Sequence, residues 1–124
     1  MSSERPLRRQ PRDIAAKARK QIARIRAWTA DLDAEAYEAD ERTQFACERA
    51  FIALGEALKD LMATIDVHAI APDGPWIDPV RFRNFLAHEY DDRVLPPLVW
   101  RTITQDLPPL DDSLRRVEAA LNQA

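Results

Sequence analysis

Glycine is nearly missing from this chain: 124 residues hold only Gly55 and Gly74. Hairpin turns lean on glycine where φ is positive, so two glycines argue against a protein built of sheets. Cysteine is scarcer still. The single thiol, Cys47, can form no internal disulfide and lies in an apolar helical pattern, where it reads as a small buried hydrophobe. With two histidines beside it, His68 and His88, no cysteine–histidine metal framework can be built, and no cofactor is implied. No run approaches the roughly 18 apolar residues of a membrane span. The basic N-terminus lacks the apolar stretch of a secretory signal. These absences point to a cytoplasmic protein.

What is present is a soluble globular composition, 46% hydrophobic and 31% charged, of a size for one domain and one core. Nine prolines cluster near residues 6–11, 72–79, 96–97 and 108–109, where they punctuate helices. The net charge of −3 is unevenly divided. Residues 1–26 carry nine Lys/Arg and two Asp/Glu, a balance of +7; the other 98 residues carry nine and nineteen, a balance of −10. A basic arm on an acidic body can gather phosphates or an acidic partner.

The patterning predicts an all-α bundle of four main helices and a short fifth. Residues 1–12 read as a flexible basic arm and 13–124 as a single helical domain. The first helix is expected from Asp13, at its N-cap or in its first turn, to about Asp31, with Ile14, Ile22, Ile25, Trp28 and Leu32 inward. A polar connector, DLDAEAYEAD, follows. A long central helix is expected from about Asp40 to Asp66, with Phe45, Phe51, Ile52, Leu54, Leu58, Leu61, Met62 and Ile65 inward. Gly55 in its middle costs roughly 1 kcal/mol against alanine, which suggests that another backbone comes close. Glu56 beside it reads as a surface carboxylate, and His68 as an ordinary residue near the helix end. Trp76 should pin the loop APDGPWIDP to the core, with Asp78 capping a third helix that starts at Pro79. A short helix over about 97–105 and a last helix opened by DLPPL complete the chain.

The chemistry concentrates in the third helix, RFRNFLAHEY. On a helical wheel Phe82, Phe85 and Leu86 share an apolar arc, leaving Arg83, Asn84 and His88 to share the other side. Arg83 and His88 are separated by about 7.5 Å of rise, a span that suits a guanidinium and an imidazole holding one phosphodiester. RNA can be cut when its 2′-hydroxyl attacks the adjacent phosphate. Histidine titrates near neutral pH and can move that proton. Arginine offers a fixed fork of donors to phosphoryl oxygens as charge builds. Asn84 can orient the imidazole or donate to phosphate. One histidine cannot be base and acid in the same step, so a two-fold dimer would supply the second. The spacing alone is also compatible with a partly exposed helix carrying a satisfied histidine.

The chain resembles the HepT-like toxins of the HEPN superfamily. The resemblance runs from Asp13 to about Val117. It rests on CERAFIALGEALKDL with its Gly55–Glu56 pair, on Pro75–Trp76, on RNFLAHEY and on VWRTITQDLPPL. It implies an α-helical dimer acting as a metal-independent endoribonuclease of a type VII toxin–antitoxin pair. Arg83 and His88 would carry catalysis, Asn84 would support them, and RNA would be the substrate. It also implies a partner, an MNT-type nucleotidyltransferase antitoxin that transfers AMP to the motif tyrosine, here Tyr90. A second reading, that of a non-catalytic nucleotide- or partner-binding subunit of a nucleotidyltransferase complex, is also open to such a chain.

Overall fold

A computed structural model describes residues 10–88 and 95–123, with only the backbone of His88 and Leu95. Every regular element among the described residues is helical, as the scarcity of glycine and the 3.6-residue patterning predict. The order is α1 (Pro11–Thr29), α2 (Ala34–Glu38), α3 (Glu41–Thr64), α4 (Val67–Ile70), α5 (Ile77–His88), α6 (Leu95–Arg101), a π-helical turn (Thr102–Asp106) and α7 (Leu107–Asn122). No described helix is long and apolar enough to cross a membrane.

The central element is α3, packed against α1 on one flank and α5 on another, while α7 closes over α1. Residue patterning explains the arrangement. Along α1, Ile14, Ala15, Ala18, Ile22, Ile25 and Thr29 are buried, which puts one stripe on the core. Pro11 sits in the first turn, where its missing N–H costs nothing, and Asp13 follows it in that turn. Asp40 starts α3 by accepting from the Thr43 backbone N–H at 3.1 Å and from the Thr43 hydroxyl at 2.7 Å. Those bonds hold the Asp40 carboxyl below the usual carboxylate range. Asp66 caps α4 in the same way through the N–H groups of His68 and Ala69. His68 therefore lies exposed on a short separate helix rather than at the end of the central one.

Several expectations need correction. Trp28 is 44% exposed and Phe45 55% exposed, although apolar spacing puts both inward. Each lies at or beyond the edge of its helix's buried arc, and a count of apolar spacings does not show where that arc ends. The connector is not featureless: Asp33 accepts from the Ala36 N–H at 2.8 Å and nucleates α2. That helix drives Tyr37 wholly into the core, against Trp100 at 5.3 Å between ring centroids. Asp78 does not cap α5, which begins one residue earlier at Ile77 and leaves Asp78 in its first turn.

The break expected before DLPPL is a π-helical turn that runs without interruption into α7. The Leu107 N–H reaches back five residues to the Thr102 carbonyl. Pro108 and Pro109 have no N–H to continue an ordinary ladder, and they fit the first turn of α7. The widened turn lets Ile103, Leu107, Leu110, Leu114 and Val117 all face the core. Trp76 behaves as expected. It is buried, and its indole N–H donates to the Ala71 carbonyl at 2.9 Å, fastening the α4–α5 loop. Cys47 is buried, and burial pushes its thiol up to about 12, so it is a core residue rather than a reactive one.

Burial raises the Tyr37 hydroxyl above the ordinary tyrosine value, and that hydroxyl has no hydrogen-bond partner among the described residues. Removing an unpaired buried hydroxyl relieves a desolvation cost. Tyr37→Phe should therefore leave the urea midpoint unchanged or raise it. A loss of about 1 kcal/mol or more would show that the hydroxyl is satisfied in solution.

Candidate functional site at the α3–α5 seam

The site begins with the glycine. Gly55 is buried in α3 where α5 crosses it. A Cβ built on Gly55 would collide with the Arg83 Cβ, stand 2.9 Å from its Cγ and reach 3.0 Å from the Pro79 carbonyl. The close approach suggested by a mid-helix glycine is therefore real, and what approaches is the stem of the motif arginine. Without a side chain at residue 55, α5 sinks onto α3 and the Arg83 methylenes lie in the seam.

The guanidinium then emerges among polar groups. Arg83 Nη1 donates to Asn84 Oδ1 at 2.8 Å, and Nη2 donates to Glu56 Oε1 at 3.3 Å. Glu56 is thus not a bystander on the surface: it forms an ion pair with Arg83 across the two helices. Arg83 Nε is buried and has no acceptor among the described residues. Buried donors without partners are uncommon and tend to mark sites with a task other than stability. The Arg83 side chain keeps 26% of its accessible surface, so the charge is held at the surface by a buried stem.

Packing on the other flank of α5 follows the predicted apolar arc. Leu86 is buried; Phe82 and Phe85 are half-buried, with Phe82 edge-on to Phe51 at 5.1 Å between centroids. Phe82 and Phe85 also line a cleft of about 390 Å³ with Phe51, Leu54, Leu98 and Leu107. Apolar side chains make up most of that lining, with Asp78, Arg81, Thr102 and Asp106 also at its wall.

The structure brings Arg83 and Asn84 together and adds Glu56, which reads in the sequence as a plain surface carboxylate. The signal for Glu56 was present: it follows the one glycine whose helical position demanded a close neighbour. The seam also corrects the simple wheel, which placed Arg83 opposite the apolar arc. Its stem faces α3 beside that arc, while Asn84 is exposed. The helix register puts position 88 about 140° around from position 83, on the last turn of α5. The side chain of His88 and the whole of Tyr90 lie outside the described residues.

The class of protein defined here is a small all-α bundle with an arginine seated at a glycine seam, five residues before a histidine on the same helix. Comparison with known proteins makes that class specific. The family described as Ribonuclease HepT-like matches residues 18–117, which span the seam and the whole of α5. A protein of Thermococcus cleftensis (strain DSM 27260 / KACC 17922 / CL1) called "Probable ribonuclease HepT" is 31% identical over 114 residues, 90% of this chain and 98% of its own length. No solved structure matches the chain. The chain belongs to the HepT-like ribonuclease family.

The seam makes a direct stability prediction. Gly55→Ala gains about 1 kcal/mol of helix propensity but forces a methyl group into the Arg83 stem and the α5 backbone, an overpacking cost of about 1–3 kcal/mol. Urea unfolding should show net destabilisation. Glu56→Gln, a change at an exposed ion pair, should leave stability almost unchanged. A Gly55→Ala protein more stable than wild type would show that α5 does not sit tightly on α3.

Proposed function

We propose that this chain is a metal-independent endoribonuclease, the toxin of a type VII toxin–antitoxin pair, acting in the cytoplasm. Arg83 binds the scissile phosphate and stabilises the charge that builds on it. His88 moves the proton: it takes it from the attacking 2′-hydroxyl or gives it to the departing 5′-oxygen. The 2′-oxygen–phosphorus bond forms as the phosphorus–5′-oxygen bond breaks, leaving a cyclic phosphate and a free 5′-hydroxyl. Asn84 holds one guanidinium nitrogen, and Glu56 holds the other. A two-fold dimer supplies a second Arg83 and His88, so that one histidine can act as base while its mate acts as acid.

The observation that carries this reading is the seating of Arg83. Its stem is fixed at Gly55, its head is steered by Glu56 and Asn84, and its helix is the one that runs on to His88. A structural arginine would have no need of a glycine beneath it or of an unpaired buried Nε. Membership of a ribonuclease family supplies the substrate class.

Regulation fits the same helix. An MNT-type nucleotidyltransferase antitoxin would transfer AMP to Tyr90, seven residues after Arg83 in the sequence. The added phosphate would compete for the guanidinium and the added bulk would block RNA.

In EDTA, purified wild-type protein should cut single-stranded RNA. Arg83→Ala should lose about 10²–10³-fold in rate, and His88→Ala about 10²–10⁴-fold, both with wild-type circular dichroism. Undiminished cutting by either variant would remove its residue from catalysis. If wild-type protein never cuts once contaminating nucleases are removed, the chain is instead a binding subunit of the nucleotidyltransferase. Modification is read independently by intact mass: co-expression with the antitoxin should add one or more AMP units to the wild type and none to Tyr90→Phe.

A further inference from the structure

The outer face of α1 carries charges that the bundle does not use. Lys17, Lys20 and Arg24 are exposed, and none has an ion-pair partner among the described residues. Their spacings of three and four residues set them along one ridge, within about 60° of one another, and Trp28 continues the same line. Arg19, on the other flank of the helix, is spent on the fold: it donates to Asp111 at 3.0 Å and to Glu118 at 2.7 Å, tying α1 to α7. Asp13 is the only acidic residue of α1.

Trp28 is the telling member. Ile25 and Thr29 beside it are buried, so the core is closed beneath the indole without its help. The bundle leaves a 44% exposed indole at the end of a row of unpaired cations. Each step along the row is about 4.5–6 Å of helix rise. Cations that follow a backbone and an aromatic face that stacks a base are the two components of single-strand recognition. An acidic protein segment would answer the cations but offer no planar base to the indole. Charge division agrees: the first 26 residues balance at +7 and the rest at −10, so a polyanion is drawn to α1 and repelled elsewhere.

We propose that Lys17, Lys20, Arg24 and Trp28 form a surface on α1 that binds single-stranded RNA, with the three cations on phosphates and a base stacked on Trp28. The inference rests on RNA being the substrate class proposed above. It adds a binding surface on a different helix from Arg83 and His88.

The test uses the full-length His88→Ala protein, so that binding is read without cleavage. A fluorescein-labelled 12-nucleotide single-stranded RNA of mixed sequence is titrated by anisotropy between 50 and 200 mM salt. Adding Lys17→Gln, Lys20→Gln and Arg24→Gln together should weaken binding at least about tenfold and cut the salt slope by about 2, roughly 0.7 for each phosphate no longer neutralised. Adding Trp28→Ala instead should weaken binding at least about fivefold while leaving the salt slope in place. Four exposed positions should leave the melting temperature near that of the parent, which is checked first. Equal binding by parent and ridge variants overturns the proposal, as does a parent that binds no RNA. Ridge variants that keep RNA binding but no longer bind a polyglutamate peptide also overturn it, in favour of an acidic protein partner. Cleavage by the wild type is scored separately, so failure of the catalytic reading and failure of the ridge are distinguishable.

Discussion

The close crossing of α5 over α3 is the constraint on which the candidate site depends, and it exists because residue 55 has no side chain. Glycine in the middle of a long helix is unfavourable by about 1 kcal/mol against alanine. Here the cost is offset by contact: the Arg83 stem and the Pro79 carbonyl occupy the volume a Cβ would need. That contact decides where a charge can stand. An arginine on a freely exposed helix would sample many rotamers. Arg83 has its methylenes clamped, and its two terminal nitrogens are bonded to Asn84 and Glu56. Most of the entropy of presenting a guanidinium is therefore lost on folding rather than on binding.

Glu56 sharpens this point. A carboxylate beside an arginine proposed to bind phosphate opposes that ligand electrostatically, and a site optimised for affinity alone would omit it. At 3.3 Å and with Glu56 more than half exposed, the pair is too weak to matter greatly for stability. It is strong enough to choose among rotamers of a side chain whose stem is already fixed.

Much of this was legible from the sequence. The helical class, the long central helix, the pinning Trp76, the buried Cys47 and the meaning of Gly55 all followed from periodicity and composition, because each depends on local spacing or on one residue's intrinsic cost. The failures share a cause. Trp28 and Phe45 are apolar residues at intervals that touch the buried stripe, and whether the arc extends that far depends on which neighbour packs there. Tyr37 looked like part of a polar connector because its burial requires Trp100, sixty-three residues away. The π-helical turn compensates two prolines through a widened hydrogen bond, which residue patterns do not encode. Glu56 pairs with a residue 27 positions distant, so its role became visible only when the seam was built. Of the site itself, sequence supplied Arg83, Asn84, His88 and Tyr90 as a motif; the described residues give the setting of the first two.

The division of charge gives the molecule a direction. Five of the Lys/Arg side chains of α1 are exposed, while the carboxylate surplus lies on the remainder of the chain. The one cation of α1 that is neutralised, Arg19, is paired with the partly buried Asp111 and Glu118, and those carboxylates raise its pKa further above its already high value. Among the described residues the fold therefore consumes a single positive charge of that helix and leaves the others exposed. Long-range attraction of a polyanion is governed by such unpaired charge, and it is screened within roughly 8 Å at physiological salt. A strand captured along α1 would lie on a different helix from Arg83, with α3 packed against both. Capture by one helix and chemistry on another would then be separable steps, with the Glu56–Arg83 pair yielding only to a phosphate already held nearby.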